Sequence, residues 1–370
     1  MGRNQRQLEY QADRLEQVLA SYKAPARVRG GTVTSRLVRF HLLPARGTKV
    51  SAITNLTEEL ALSLGASSAR VSRRGGQIEV EIPRDQPSVV RLNSLFNQVT
   101  DVPNTTAILG IDDEGAPILL RIASPEISHV LICGTTGSGK TVLARTMILS
   151  LAKYHSVHDL GIVLVDPKGR GYSPFDGLPH LARPVATTAA AAMNVLKWLV
   201  RLMEQRDHSG KNNPRIVCFI DELADLMIVA GHDAEALLTR LTQRGRSAGI
   251  HIIACTQKPI AAVIGSLVKS NFPVRIVGSV VSPEDAKVAS GVKQTGAEKL
   301  LGRGDFLLVL KGSNHRFQAA LADPSFIEQT VQNLRGGRKP AMIGELTANG
   351  TDGSLFDDLR QRATQLRLVK

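Results

Sequence analysis

The chain has 370 residues and a formal net charge of +13 at pH 7, a length that suits two domains with cores of their own and no need of disulfides or metals. Apolar residues make up 43% and charged residues 21%, the composition of a globular rather than a disordered chain. The basic surplus points to a polyanionic partner, nucleic acid before membrane, while only 4% aromatic residues argues against a stacking platform for single strands.

The N-terminal stretch is polar and lacks the apolar core of a signal peptide. Leu8, Ala12, Leu15 and Leu19 recur at helical spacing, which predicts an amphipathic helix over 5–20. Val38, Phe40 and Leu42 alternate with Arg39 and His41, the pattern of a half-buried strand. Asn55 followed by Glu58 resembles a capping box that opens a helix through Leu60 and Leu64. Ile78, Val80 and Ile82 alternate with Glu79 and Glu81, a second such strand. The first hundred residues therefore read as a small α+β domain, itself carrying a charge of +7.

The rhythm changes after residue 105. Short apolar runs at 130–133, 161–165, 215–220, 250–255, 273–278 and 305–310 alternate with helical segments. Buried strands between crossover helices imply an α/β fold with a mostly parallel sheet. Cys133, Cys218 and Cys255 fall in separate apolar runs, which predicts reduced core thiols and a cytoplasmic setting. No apolar stretch reaches the roughly 18 residues of a membrane span. The chain divides into 1–105, 106–330, and a linker with a short helical tail over 331–370.

The strongest motif is GTTGSGKT at 134–141, which fits G-x-x-x-x-G-K-[ST] between an apolar strand and a helix. Gly134, Thr135, Thr136, Gly137, Ser138 and Gly139 form a loop whose N–H groups cradle phosphate. Lys140 would reach the β- and γ-phosphates, and Thr141 would hold Mg²⁺. The run RIVCFIDE at 215–222 ends a strand in Asp221 and Glu222. Asp221 suits Mg²⁺, and Glu222 suits the orientation or deprotonation of water. A third strand ends in Thr256 and Gln257, an amide placed to sense the γ-phosphate and position water. Arg240, Arg244, Arg246 and Arg275 are candidates for the positive charge that phosphoryl transfer requires. Lys168, after the second strand, could face nucleotide, DNA or solvent. The histidines show no metal-binding spacing, and Trp198 reads as core or interface.

Together GTTGSGKT, DPKGRGY, GLPHL, FIDELADLM, RLTQRGRSAGIH, ACTQKP, NFPVRI and LLGRGDFLL resemble the motor of the FtsK family, the hexameric double-stranded DNA translocases. The resemblance covers about residues 5–325, and the first hundred resemble the family's nucleotide-free ring domain. It implies a RecA-like P-loop NTPase fold, with ATP and Mg²⁺ held between the subunits of a homo-hexamer around duplex DNA. Lys140 and Thr141 then match the phosphate loop, and Asp221 and Glu222 the Mg²⁺ and catalytic acid pair. Gln257 matches the γ-phosphate sensor. Arg246 matches an arginine finger acting in trans, ahead of Arg240 and Arg244. The chain departs from the family pattern in three places: no membrane region at its start, no complete winged-helix domain after residue 325, and a very short segment between Arg206 and Pro214. Two other readings stand beside the DNA motor: an FtsK-like secretion ATPase that moves protein, and a DNA clamp that uses ATP only to assemble.

Overall fold

The computed structural model of the chain describes residues 3–74, 76–85, 87–257, 271–311, 313–336 and 367–369. It divides into two compact units, Met1–Val89 and Val90–Lys370.

In the first unit, strands β1 (Ala26–Val33), β2 (Leu37–Pro44), β3 (Arg70–Arg74) and β4 (Gln77–Pro83) form an antiparallel sheet in the order β1-β2-β4-β3. Helix α1 (Arg3–Ser21) buries Leu15 and Leu19 in one core with Phe40, Leu42, Val80 and Ile82. The alternation of β2 and β4 is as the sequence predicts, but the half-buried reading fails at Arg39. That residue is only 3% exposed. Its guanidinium donates to Glu81 Oε1 at 2.7 Å and lies 3.3 Å from Glu79. Opposite charges meet across the β2–β4 register, where Arg39 faces Glu81 directly, so the polar face is buried as ion pairs. The expected capping box is also absent. Asn55 has helical backbone angles and ends α2 (Val50–Thr54), its N–H donating to Ser51 O. Helix α3 (Thr57–Ser63) starts after Leu56, with no side-chain cap.

The second unit opens with α4 (Leu92–Gln98) and the strands β5 (Thr106–Asp112), β6 (Pro117–Arg121) and β7 (Val130–Cys133). Helix α5 (Lys140–Tyr154), β8 (Leu160–Val165), α6 (Ala189–Ser209), β9 (Arg215–Ile220), α7 (Leu223–Arg244) and β10 (Ile250–Thr256) follow. Then come β11 (Val274–Val277), α8 (Pro283–Ser290), β12 (Asp305–Leu310), β13 (Ser313–Ala319), α9 (Pro324–Arg335) and β14 (Arg367–Val369). The ten strands form one sheet in the order β14-β6-β5-β13-β12-β11-β7-β10-β9-β8. Strands β11, β7, β10, β9 and β8 are its parallel core, and β12, β13, β5 and β6 extend it antiparallel.

Alternating side chains of the core strands enter two cores. Val130 and Ile132 pack with α4, α5 and α9, whereas Leu131 and Cys133 pack with α6, α7 and α8. Both faces are thus covered, and the strands read as unbroken apolar runs for that reason. All three cysteines are buried free thiols. Burial pushes Cys133 and Cys218 up to about 12, so they are inert core groups. The linker and most of the expected terminal helix lie outside the described residues. Arg367–Val369, expected to be helical, instead pair parallel with Ile118–Leu120 on the open edge of β6. Among the described residues, no helix is long and apolar enough to cross a membrane.

Candidate nucleotide-binding site

The loop after β7 sits at the carboxyl edge of the parallel core, between the ends of β11 and β10. Thr135 N–H and Oγ1 both donate to Ser279 O, and Gly134 N–H donates to Thr256 O, so both neighbours anchor it. Glycine is required at Gly139, which has φ +101 and would place a Cβ 2.9 Å from the backbone nitrogen of Gly304. A Cβ on Gly137 would meet nothing within 4 Å, which leaves that side of the cradle open. Lys140 opens α5 and donates to Gly134 O at 2.7 Å and Thr135 O at 3.0 Å. Burial draws its pKa below the usual lysine value, while Glu222 and Asp221 among others oppose the shift.

Strand β9 delivers the acid pair to the same edge. Thr141 donates to Asp221 Oδ1 at 3.2 Å. Burial raises the Asp221 pKa, and the nearby Asp166 carboxylate raises it further. Asp166 is wholly buried and accepts the N–H groups of Gly171 at 2.7 Å and Tyr172 at 3.0 Å. The loop after β8 therefore folds back onto Asp221, so closely that a Cβ on Gly171 would lie 3.0 Å from its carboxyl carbon. Glu222 is buried at the start of α7, and both of its oxygens accept the Gln257 N–H, at 3.1 and 3.2 Å. The Gln257 side chain in turn accepts the Thr136 hydroxyl at 2.7 Å. Because β10 lies between β7 and β9, Gln257 stands between the phosphate loop and the acid pair.

The residues present fit a nucleotide with a hard divalent cation. Thr141 and Asp221 bring oxygen donors together, the ligand type that Mg²⁺ selects. The glycine backbone and a buried ammonium suit phosphate.

The arginine candidates separate. Arg240 and Arg244 pair with Glu204 and Asp207 of α6. Arg275 is 9% exposed and donates to Val288 O at the end of α8, so it holds a helix terminus rather than facing phosphate. Arg246 is exposed and donates to Pro125 O at 3.2 Å, in the turn that leads into β10. That turn is at the amino end of β10, whereas Gln257 follows its carboxyl end. At roughly 3.3 Å per residue the strand puts about 20 Å between the two edges. Lys168 pairs with Asp225 at 2.5 Å at the carboxyl edge. Trp198 is half-buried, with the Arg183 guanidinium 4.7 Å above its ring.

One element of the site has no assigned role in the sequence reading. Arg303 N–H donates to Gly137 O at 3.0 Å and Gly304 N–H to Ser138 O at 2.7 Å, clipping the turn before β12 onto the phosphate loop. Its signal in the sequence is the LLGRGDFLL motif, whose glycines on either side of Arg303 adopt φ +66 and +92.

Residues 97–212 and 207–261 match the FtsK/SpoIIIE family, and residues 2–84 match the FtsK alpha domain. The chain belongs to the FtsK/SpoIIIE family. The DNA translocase SftA of Bacillus subtilis (strain 168) is 35% identical over 91% of this chain and 38% of its own length. The DNA translocase SpoIIIE of the same organism is 33% identical over 96% of this chain and 49% of its own. The chain thus spans less than half the length of these FtsK/SpoIIIE relatives. Among solved structures, the pCW3 conjugation coupling protein TcpA, in a monomer form with ATPγS, superposes with a TM-score of 0.61 at 22% identity. That match covers 88% of this chain and 99% of TcpA, a likeness of fold. The cytoplasmic domain of the Thermomonospora curvata type VII secretion ATPase EccC gives a TM-score of 0.60 at 25% identity, covering 72% of this chain and 36% of EccC.

Proposed function

We propose that this chain is the motor portion of an ATP-driven double-stranded DNA translocase that works as a homo-hexamer around the duplex. In this reading the first unit, Met1–Val89, is the ring domain and the second unit the motor, so the boundary lies before α4 rather than at residue 105. The observation that carries it is the placement of Arg246. The phosphate loop, Asp221, Glu222 and Gln257 share one sheet edge, while Arg246 stands at the opposite edge, about 20 Å away by strand length. None of the four arginine candidates stands against the phosphate loop in its own chain, which leaves Arg246 to act on a neighbouring subunit's site.

Lys140 and the 134–139 backbone bind the phosphates, and Thr141 with Asp221 would hold the cation. Mg²⁺, when bound, supplies neutralising charge on the phosphate oxygens. Glu222 takes the proton of the attacking water once its carboxylate is turned from the Gln257 N–H. Gln257, between Thr136 and Glu222, reports occupancy of the phosphate loop to the base. Arg246 of the neighbour stabilises the charge that develops on the transferring group. A grip on the sugar-phosphate backbone by Lys and Arg would be sequence-neutral and steeply salt-dependent.

The relatives named as DNA translocases support DNA as the substrate. The likeness to EccC favours a second reading, a motor that moves protein. ATP hydrolysis with and without linear duplex, together with displacement of a third strand from that duplex, separates the two. Stimulation by duplex over single strands is expected. A rate that ignores duplex DNA would overturn the DNA reading.

A further inference from the structure

We infer that Arg206 and His251 are positioning residues, which hold the turn carrying Arg246 in the one pose that lets it reach a neighbouring subunit's site. This rests on the trans role of Arg246 proposed above.

The turn from Gly245 to Gly249 is tightly closed. Ile250 N–H donates to Gly245 O and Gly249 N–H to Arg246 O, at 2.8 and 3.0 Å. A Cβ on Gly249 would meet Asn212 O at 2.1 Å, so the turn lies directly on the loop before β9. Arg206, in the last turn of α6, spans that junction. It donates through Nη1 to Ala248 O at 2.8 Å and through Nη2 to Pro214 O at 2.6 Å. Its fork ties the turn to the loop at a fixed separation, which a single ammonium cannot do.

A second clamp holds the other side. Pro125 O accepts both Arg246 Nη1 and the Ser128 hydroxyl. Ser128, at φ +42, adopts a backbone conformation that side chains other than glycine and asparagine rarely take. His251 fixes this segment by donating its Nδ1 proton to Ser128 O at 2.9 Å. The stitch is reciprocal, since Ile252 N–H donates to His129 Nδ1 at 3.0 Å. The acceptor of the Arg246 head is thus tied to the same strand that carries the Arg246 turn.

The cost of these groups argues for a role. Arg206 is 6% exposed, and both of its hydrogen bonds go to neutral carbonyls. Burial lowers its pKa to about 10, and Arg215 repels it. An apolar side chain in the α6 stripe would fill the space without that desolvation. The charge is explained if the spacing of the two carbonyls matters for a residue beyond them, and the exposed Arg246 is that residue.

The test is subunit mixing, read as ATP hydrolysis on duplex DNA. Arg206→Lys alone is expected to lose activity by about 10- to 100-fold, the scale of a misplacement near 1 Å, with ATP affinity unchanged. Mixed with Lys140→Ala subunits, it should recover activity as Arg246→Ala does, because its own phosphate loop is intact. Mixed with Arg246→Ala subunits, it should recover nothing, because neither chain then supplies a placed arginine. Recovery with Lys140→Ala for Arg246→Ala but not for Arg206→Lys would overturn this inference alone. No recovery for either would overturn the trans reading as well. Should Arg206→Lys fail to fold, His251→Leu replaces it with the same outcomes.

Discussion

The carboxylate of Glu222 accepts the backbone N–H of Gln257 with both oxygens, at 3.1 and 3.2 Å, while the Gln257 side chain accepts the hydroxyl of Thr136. One residue therefore links the phosphate loop to the proposed base. Gln257→Ala keeps the backbone donor and removes the side-chain link. It is expected to lower kcat more than tenfold, the lower range for a displaced catalytic group, with little change in KM. Steady-state hydrolysis measures both, and a rise in KM alone would place Gln257 in binding only.

Glu222→Gln preserves shape and hydrogen-bond capacity while removing the base. Hydrolysis should fall by about 100-fold or more, with ATP still bound tightly. Lys140→Ala should instead lose nucleotide affinity itself, since the buried ammonium is placed for phosphate. Equilibrium binding of a fluorescent ATP analogue distinguishes the two. Unchanged turnover in Glu222→Gln would also revive the clamp reading, in which ATP serves assembly alone.

The paired histidines predict a pH response. Burial lowers the pKa of His129 to about 3 and of His251 to about 4, from a usual value of 6.5. Both are neutral in the folded chain, and the unfolded chain binds more protons below pH 6.5. Their contribution is therefore complete above pH 6.5 and is lost as pH falls toward 4. At pH 5 the loss is about 2 kcal/mol for each histidine. His251→Asn, which can still donate to Ser128 O, should show a shallower fall in thermal stability between pH 7 and 5. Parallel curves for the two proteins would contradict the assignment.

In the first unit, Arg39→Ala would remove the guanidinium that both Glu79 and Glu81 face, while His41 Nδ1 stays 3.5 Å from Glu79 Oε1. A loss of about 3–5 kcal/mol is expected for such a broken pair. Replacing all three by Met and Gln should recover most of it, because the charges then need no compensation. Denaturant unfolding of the two variants gives the comparison.

Much of this architecture is legible in the sequence. The strand β7, the glycine loop and α5 form a local unit, and their residue pattern carries its own geometry. The acid pair at the end of β9 was legible for the same reason, since a buried strand must end where polar residues resume. Arg39 was not, because alternation tells which residues share a face but not whether that face meets partner charges. Asn55 was misread because the residues before it were already helical, so it ended one helix instead of starting the next. Arg275 and Arg246 could not be separated by composition, since burial under α8 and exposure in a turn leave the same letter in the sequence.

By itself the sequence determined the separate pieces: a glycine loop ending in Lys140 and Thr141, the acid pair Asp221 and Glu222 at one strand end, and the amide of Gln257 at another. These depend on residues within a few positions of one another, where backbone preference and spacing suffice. Only the tertiary structure decided how they meet. Insertion of β10 between β7 and β9 places Gln257 between Thr136 and Glu222, and the length of β10 carries Arg246 to the far edge of the sheet. Strand order is set by which apolar faces pack together across the whole core. That sum of long-range contacts has no counterpart in any single stretch of sequence.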